Sequence, residues 1–220
     1  MHCSNSILPW NQMTSVQEFK KRLSEARAFA SPLRELGEKD RTRMLSHLLG
    51  LEAEDRYLRF GSPLSDSAIE SYVLGIDFDK QQVFGAFDDD LQIVAMCHFA
   101  PLADVDAGPN VPMAAEFGLS VSTQARRQGL GTAMFKRAST HARNLGISVL
   151  FMHCLIQNQA MMKIARGAGM EITTVAGEAD AQVHLAPADA SSVISEAVQE
   201  QIAIFDYAVK EQLLSARRTG

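Results

Sequence analysis

Arg126-Arg127-Gln128-Gly129-Leu130-Gly131-Thr132 is the stretch that decides how this chain folds. It lies between a strand-like segment, Ala115-Glu116-Phe117-Gly118-Leu119-Ser120-Val121, and a helix-like one from Ala133 to Leu145. Glycines at 129 and 131 let the backbone turn tightly and approach a ligand, because no Cβ intervenes. A glycine turn that opens a helix leaves several backbone N–H groups unpaired. Those donors, with the positive end of the helix dipole, form a site for an anion such as phosphate. Arg126 and Arg127 add positive charge, and the arginine fork matches phosphate oxygens. Thr132 stands where it can cap the helix start. Two better-known phosphate loops are excluded. The Lys-Ser/Thr of a P-loop is missing, and so is the third glycine of the dinucleotide fingerprint.

The neighbouring segments extend the pattern. The helix ends at Asn144-Leu145-Gly146, and Ile147-Ser148-Val149-Leu150-Phe151-Met152 reads as a buried strand. Asn158 then precedes a helix over 159–168, in a run that ends Ala168-Gly169-Met170. Arg-x-x-Gly-x-Gly after a strand, followed by this Asn-x-Ala helix, resembles the GNAT superfamily of N-acetyltransferases over residues 113–172, and more loosely over 30–186. Met170 stands where that family carries Phe. The short run Glu54-Asp55-Arg56-Tyr57-Leu58-Arg59-Phe60 also resembles the acetyltransferase domains of bacterial protein-lysine acetyltransferases.

The resemblance implies acetyl-CoA as cosubstrate, with its pyrophosphate on the main chain of Arg126, Arg127, Gln128, Gly129, Leu130, Gly131 and Thr132. It implies that the N–H of Leu119 binds the thioester carbonyl, with Ser120 and Val121 meeting the pantetheine by main-chain bonds. Asn158 begins the helix near the departing sulfur, where it either serves the cofactor or caps the helix. Glu116 is the catalytic candidate. A carboxylate within an apolar strand needs a reason, since burying a charge is costly. A partly buried Glu116 with a raised pKa could take the proton that an alkylammonium must lose before it attacks. Seven residues after Asn158 the family often carries a tyrosine that protonates the thiolate, but here the position is Ala165. His153, Cys154 and Tyr57 are the candidate replacements.

Composition agrees. A chain of 220 residues, 46% hydrophobic, suits one domain with appendages: an N-terminal extension over 1–27, an acetyltransferase domain over 28–186 and a C-terminal extension over 187–220. Strands and helices interleave with short links, which predicts an α/β (α+β) class: a mixed, largely antiparallel twisted sheet flanked by helices. Ser191 to Leu214 reads as one long amphipathic helix, with Ile194, Val198, Ile202, Phe205, Val209 and Leu213 at helical spacing. Packing on its own domain is the simpler reading of that helix, and a homodimer contact is the alternative. No apolar run reaches a membrane span, and no signal-like leader opens the chain. Cys3, Cys97 and Cys154 follow neither metal nor disulfide spacing, which predicts no metal and a reducing, cytoplasmic setting. A net charge of −5 argues against nucleic acid as a partner. The expected function is N-acetyl transfer from acetyl-CoA to a small amine or a protein lysine. A non-catalytic acyl-CoA-binding regulatory domain is the alternative.

Overall fold

The computed structural model describes residues 32–102 and 113–219; the N-terminal extension expected over 1–27 lies outside them. Seven strands form one sheet: β1 Arg34–Leu36, β2 Gln82–Phe87, β3 Ile93–Leu102, β4 Ala114–Val121, β5 Val149–Leu155, β6 Glu171–Val175 and β7 Glu178–His184. Their spatial order is β1-β2-β3-β4-β5-β7-β6. Every neighbouring pair is antiparallel except β4 and β5, which run parallel. This is the mixed, largely antiparallel sheet expected. Six α-helices accompany it among the described residues: α1 Arg41–Leu49, α2 Ala53–Phe60, α3 Asp66–Leu74, α4 Leu130–Asn144, α5 Gln159–Gly167 and α6 Ala190–Thr219.

Alternation along the strands divides the core in two. Val83 and Met96 face one side of the sheet, where Met44 and Leu48 of α1 and Ile69 and Val73 of α3 cover them. Phe84, Ala95, Cys97 and Phe117 face the other, against Met134 and Ala138 of α4 and Met161 and Ala165 of α5. Ser65 caps α3 as its position suggests, its Oγ accepting from the Ala68 N–H at 3.2 Å. The glycine turn starts α4 at Leu130, ahead of the expected Ala133.

The C-terminal helix exists and is longer than expected, but its apolar stripe does not face the domain. Ser192, Glu196, Glu200, Ala203 and Tyr207 turn inward instead. Arg137 of α4, only 3% exposed, donates to Glu196 and Glu200. Arg34 of β1 stacks on Tyr207, and the Glu35 N–H donates to Glu200 at 3.3 Å. Ile194, Val198, Ile202, Phe205 and Leu213 remain exposed, Phe205 by 72%. Charge pairing with a buried arginine has fixed the rotation of this helix, against the side that hydrophobicity alone would choose. No helix among the described residues is long and apolar enough to cross a membrane.

Candidate active site

The site begins where two parallel strands part. β4 and β5 pair only at Ala114–Val149, Ala115–Leu150 and Glu116–Phe151. Beyond Glu116, β4 stays paired with β3 as far as Val121, while β5 pairs with β7. The Ser122 N–H donates to the Val94 carbonyl across the β3 side at 2.8 Å. N–H groups alternate in direction along an antiparallel strand, so those of Leu119 and Val121 point the other way, into the gap left by β5. An edge of unpaired main-chain donors inside a sheet is a template for an extended ligand.

The gap opens into a cleft of about 800 Å³. Its lining includes Leu119, Ser120 and Val121, the whole of Arg126 to Thr132, and Asn158, so every expected cofactor residue meets in one place. Gly129 takes a left-handed conformation, φ 81°, and Arg127 does so as well at φ 62°. These torsions swing the chain abruptly into α4. The first backbone bond of the helix runs from Ala133 N–H to the Gly129 carbonyl, which leaves the N–H groups of Leu130, Gly131 and Thr132 ahead of it without an intrahelical acceptor. Gly131 keeps the cleft wall close: a Cβ there would lie 2.9 Å from Ile164 Cδ1 and 3.1 Å from Leu119 Cδ2.

Some side chains do other work than expected. Arg126 is ion-paired with Asp55 of α2 and donates to the Val121 carbonyl, so its charge is not free for a phosphate. Arg127 is exposed at the cleft, and Lys163 of α5 lines it too. Asn158 is a cap and a strap: its Oδ1 accepts from the Met161 N–H at 3.1 Å, and its Nδ2 donates to the Leu58 carbonyl at 3.2 Å. The Ser120 hydroxyl is buried against His47. His47 Nδ1 sits 2.9 Å from the Ile93 carbonyl and must carry the proton there, so Nε2 accepts from Ser120 Oγ at 2.9 Å. Burial holds the His47 pKa down to about 4, opposed by the bond to Ile93 and assisted by the charge of Arg59.

A second, smaller cavity of about 160 Å³ adjoins the cleft and shares Leu58, Arg59, Leu119, Asn158 and Met161 with it. Glu116 and His153 open onto this cavity. Glu116 is exposed, which corrects the expectation of a partly buried carboxylate: its strand is apolar on the opposite face, Ala115 and Phe117, and its own face is the cavity wall. Of the three proposed replacements for the missing tyrosine, His153 and Cys154 line this cavity, and of these two only His153 is exposed. Its Nδ1 lies 2.7 Å from Asp180, whose hydrogen bond raises the imidazole pKa. Cys154 is buried, its Sγ 3.9 Å from Met162 Sδ, and burial pushes its thiol pKa up. Tyr57 lines neither cavity. Ala165 is fully buried in the core.

Sequence reasoning missed Arg59, which lines both cavities. Its guanidinium lies flat over Gly118: a Cβ at that glycine would sit 2.5 Å from Arg59 Nη2. Arg59 donates to the Tyr72 hydroxyl at 3.1 Å; that hydroxyl donates to His98 Nδ1 at 2.7 Å, and His98 Nε2 donates to Gln81 Oε1 at 3.2 Å. The signal available was the segment 54–60, already singled out by its likeness to protein-lysine acetyltransferases.

A model of the acetyltransferase (GNAT) family matches residues 48–170. The chain belongs to this family. A comparison with curated protein sequences finds no match. Among solved structures, the GNAT domain of S. lividans PAT is similar at 21% identity and TM-score 0.59, over 70% of this chain and 89% of that one. The yncA protein of Salmonella typhimurium, solved with its cofactor acetyl-CoA, is similar at 14% identity and TM-score 0.53, over 72% and 95%. Spermidine N-acetyltransferase from Vibrio cholerae, in complex with CoA and spermine, matches at 14% identity and TM-score 0.53, over 69% and 94%. At such identities the likeness carries the GNAT fold.

Proposed function

We propose that this GNAT acetyltransferase moves the acetyl group of acetyl-CoA to a primary amine by direct attack in a ternary complex. The observation that carries the proposal is the continuous run of main-chain donors, from Leu119 and Val121 in the strand gap to the turn at the start of α4. One cleft thus offers amides to a pantetheine arm and an anion site to a pyrophosphate. The exposed Arg127 and Lys163 supply charge at the same end.

Acetyl-CoA supplies an acyl carbon activated as a thioester. The amine, an ammonium in water, gives a proton to the Glu116 carboxylate, directly or through one water, and its freed lone pair attacks that carbon. The carbonyl oxygen gathers negative charge, which the Leu119 N–H stabilises. Collapse breaks the carbon–sulfur bond, the nitrogen sheds its second proton to water to leave the neutral amide, and the thiolate takes a proton from His153, whose hydrogen bond to Asp180 favours the charged ring. The acceptor is a small amine or a protein lysine. Ala165 in place of a tyrosine favours one alternative, binding without turnover.

Release of free CoA thiol from acetyl-CoA across a panel of amines separates the two. For an enzyme, Glu116→Gln should lower turnover near neutral pH by about 10²–10⁴-fold with acetyl-CoA affinity unchanged. Partial recovery at higher pH, where more amine is already neutral, should follow. Tight acetyl-CoA binding with no thiol released by any amine would establish the regulatory alternative.

A further inference from the structure

Arg59 is a cation for which the described residues provide no counter-ion: no carboxylate lies within 4.0 Å of it, and its Nε is buried with no hydrogen-bond partner. Its neighbours in the chain are neutral groups, the Tyr72 hydroxyl and through it His98. Leaving a half-buried guanidinium unpaired is costly, and a site that keeps one is built to receive an anion. The pyrophosphate belongs elsewhere, at the α4 turn. Arg59 instead lies over Gly118, one residue before the proposed oxyanion donor Leu119, in the cavity that also holds Glu116. Glu116 and Gly118 are two apart on one face of β4, which sets an acceptor for protons and a receptor for an anion about 7 Å apart along the strand.

We infer that the acceptor is a zwitterion, an amine with a carboxylate a few bonds away, of which an α-amino acid is the simplest case. This rests on the acetyl-transfer reading above and names its substrate class. The carboxylate lies on the Arg59 guanidinium, and the amine points to Glu116 and the thioester. Polycations and plain alkylamines leave Arg59 unpaired and are poor acceptors. Gly118 is part of the device, since any side chain there displaces the guanidinium.

The test compares α-amino acids with their own carboxamides, first by calorimetry on protein saturated with CoA, then as acceptors from acetyl-CoA. A charge-assisted bond to a carboxylate is worth about 1.5–3 kcal/mol, so the best amino acid should exceed its carboxamide by about 10–10²-fold in affinity and kcat/KM. Arg59→Gln and Gly118→Ala should each bring the acid-to-carboxamide ratio close to one, in affinity and in kcat/KM alike. The wild-type comparison needs no variant and stands if either variant misfolds. Equal use of acid and amide overturns the inference while leaving acetyl transfer intact. A carboxylate preference in binding without turnover supports the inference and removes the enzymatic reading. A uniform loss with every amine in Arg59→Gln would make Arg59 an oxyanion stabiliser and overturn it. A wild-type preference for succinyl-CoA over acetyl-CoA with a carboxylate-free amine, lost in Arg59→Gln, would put the anion on the acyl group and overturn the assignment to the acceptor.

Discussion

Gly131 shows how much a single residue can hold. A methyl there would press on Ile164 Cδ1 and Leu119 Cδ2, both flexible side-chain ends that line the cleft. The fold can absorb such a contact and the cleft cannot. Gly131→Ala should therefore weaken acetyl-CoA binding in calorimetry while circular dichroism stays native. Unchanged affinity would mean that the Leu119–Ile164 wall does not meet the cofactor. His153 is the proposed proton donor, and its hydrogen bond to Asp180 raises its pKa. Turnover should then fall as pH rises through that raised pKa, and His153→Gln should remove this limb from the kcat profile. A profile identical in wild type and variant would leave the thiolate to depart without it. At this scale the sequence disclosed the glycine turn, because an arginine ahead of the two glycines and a helix behind them fit a phosphate loop, and it set Glu116 on the strand that leads into it. It did not disclose Arg59, since an arginine in a charged helical run looks like a solvated face until the fold lays it over Gly118. Nor did it show that Arg126 is already paired with Asp55, a contact across 71 residues that only the fold creates.

Elements were legible wherever local chemistry and tertiary packing agree. The strand into the glycine turn, α4, β5 and α5 follow from turn residues and apolar spacing. The orientation of α6 was not legible. Its periodicity marks one face as apolar, but Arg137, buried in α4, draws Glu196 and Glu200 inward on another. Burial works against ionisation of Glu196, yet hydrogen bonds from His141, Asn144 and Arg137 outweigh it and hold the carboxyl at about 2. Removing one partner of a buried ion pair is strongly destabilising, so Arg137→Met should cost about 3 kcal/mol in urea unfolding. Phe205→Ser, on the exposed stripe, should change stability by less than about 0.5 kcal/mol at low protein concentration. The reverse order would mean that α6 docks by its apolar face after all.

The whole molecule carries its chemistry on a sheet that is split at one seam, with neutral histidines beneath it. His47 and His98 are buried, and burial with the nearby Arg59 charge depresses both to about 4, from an ordinary 6.5. In the unfolded chain they take up protons below about 6.5 and in the folded protein only near 4, so the unfolded state binds more protons in that window. Their stabilising contribution is complete above about 6.5 and is lost as pH falls through about 4. Thermal midpoints should decline across that range, and His47→Gln with His98→Gln should flatten the decline; an equally steep decline in the double variant would assign it to other groups. The proposed function rests on the same seam, where β5 leaves β4 after Glu116 and exposes the Leu119 and Val121 amides. The most direct test is a crystal structure of the protein with acetyl-CoA. The expected result is the thioester carbonyl within hydrogen-bond distance of the Leu119 N–H, the pyrophosphate on the amides of the 127–132 turn, and the acetyl group facing Glu116. A cofactor bound elsewhere, or a seam closed by pairing of β4 with β5 past Glu116, would contradict the account.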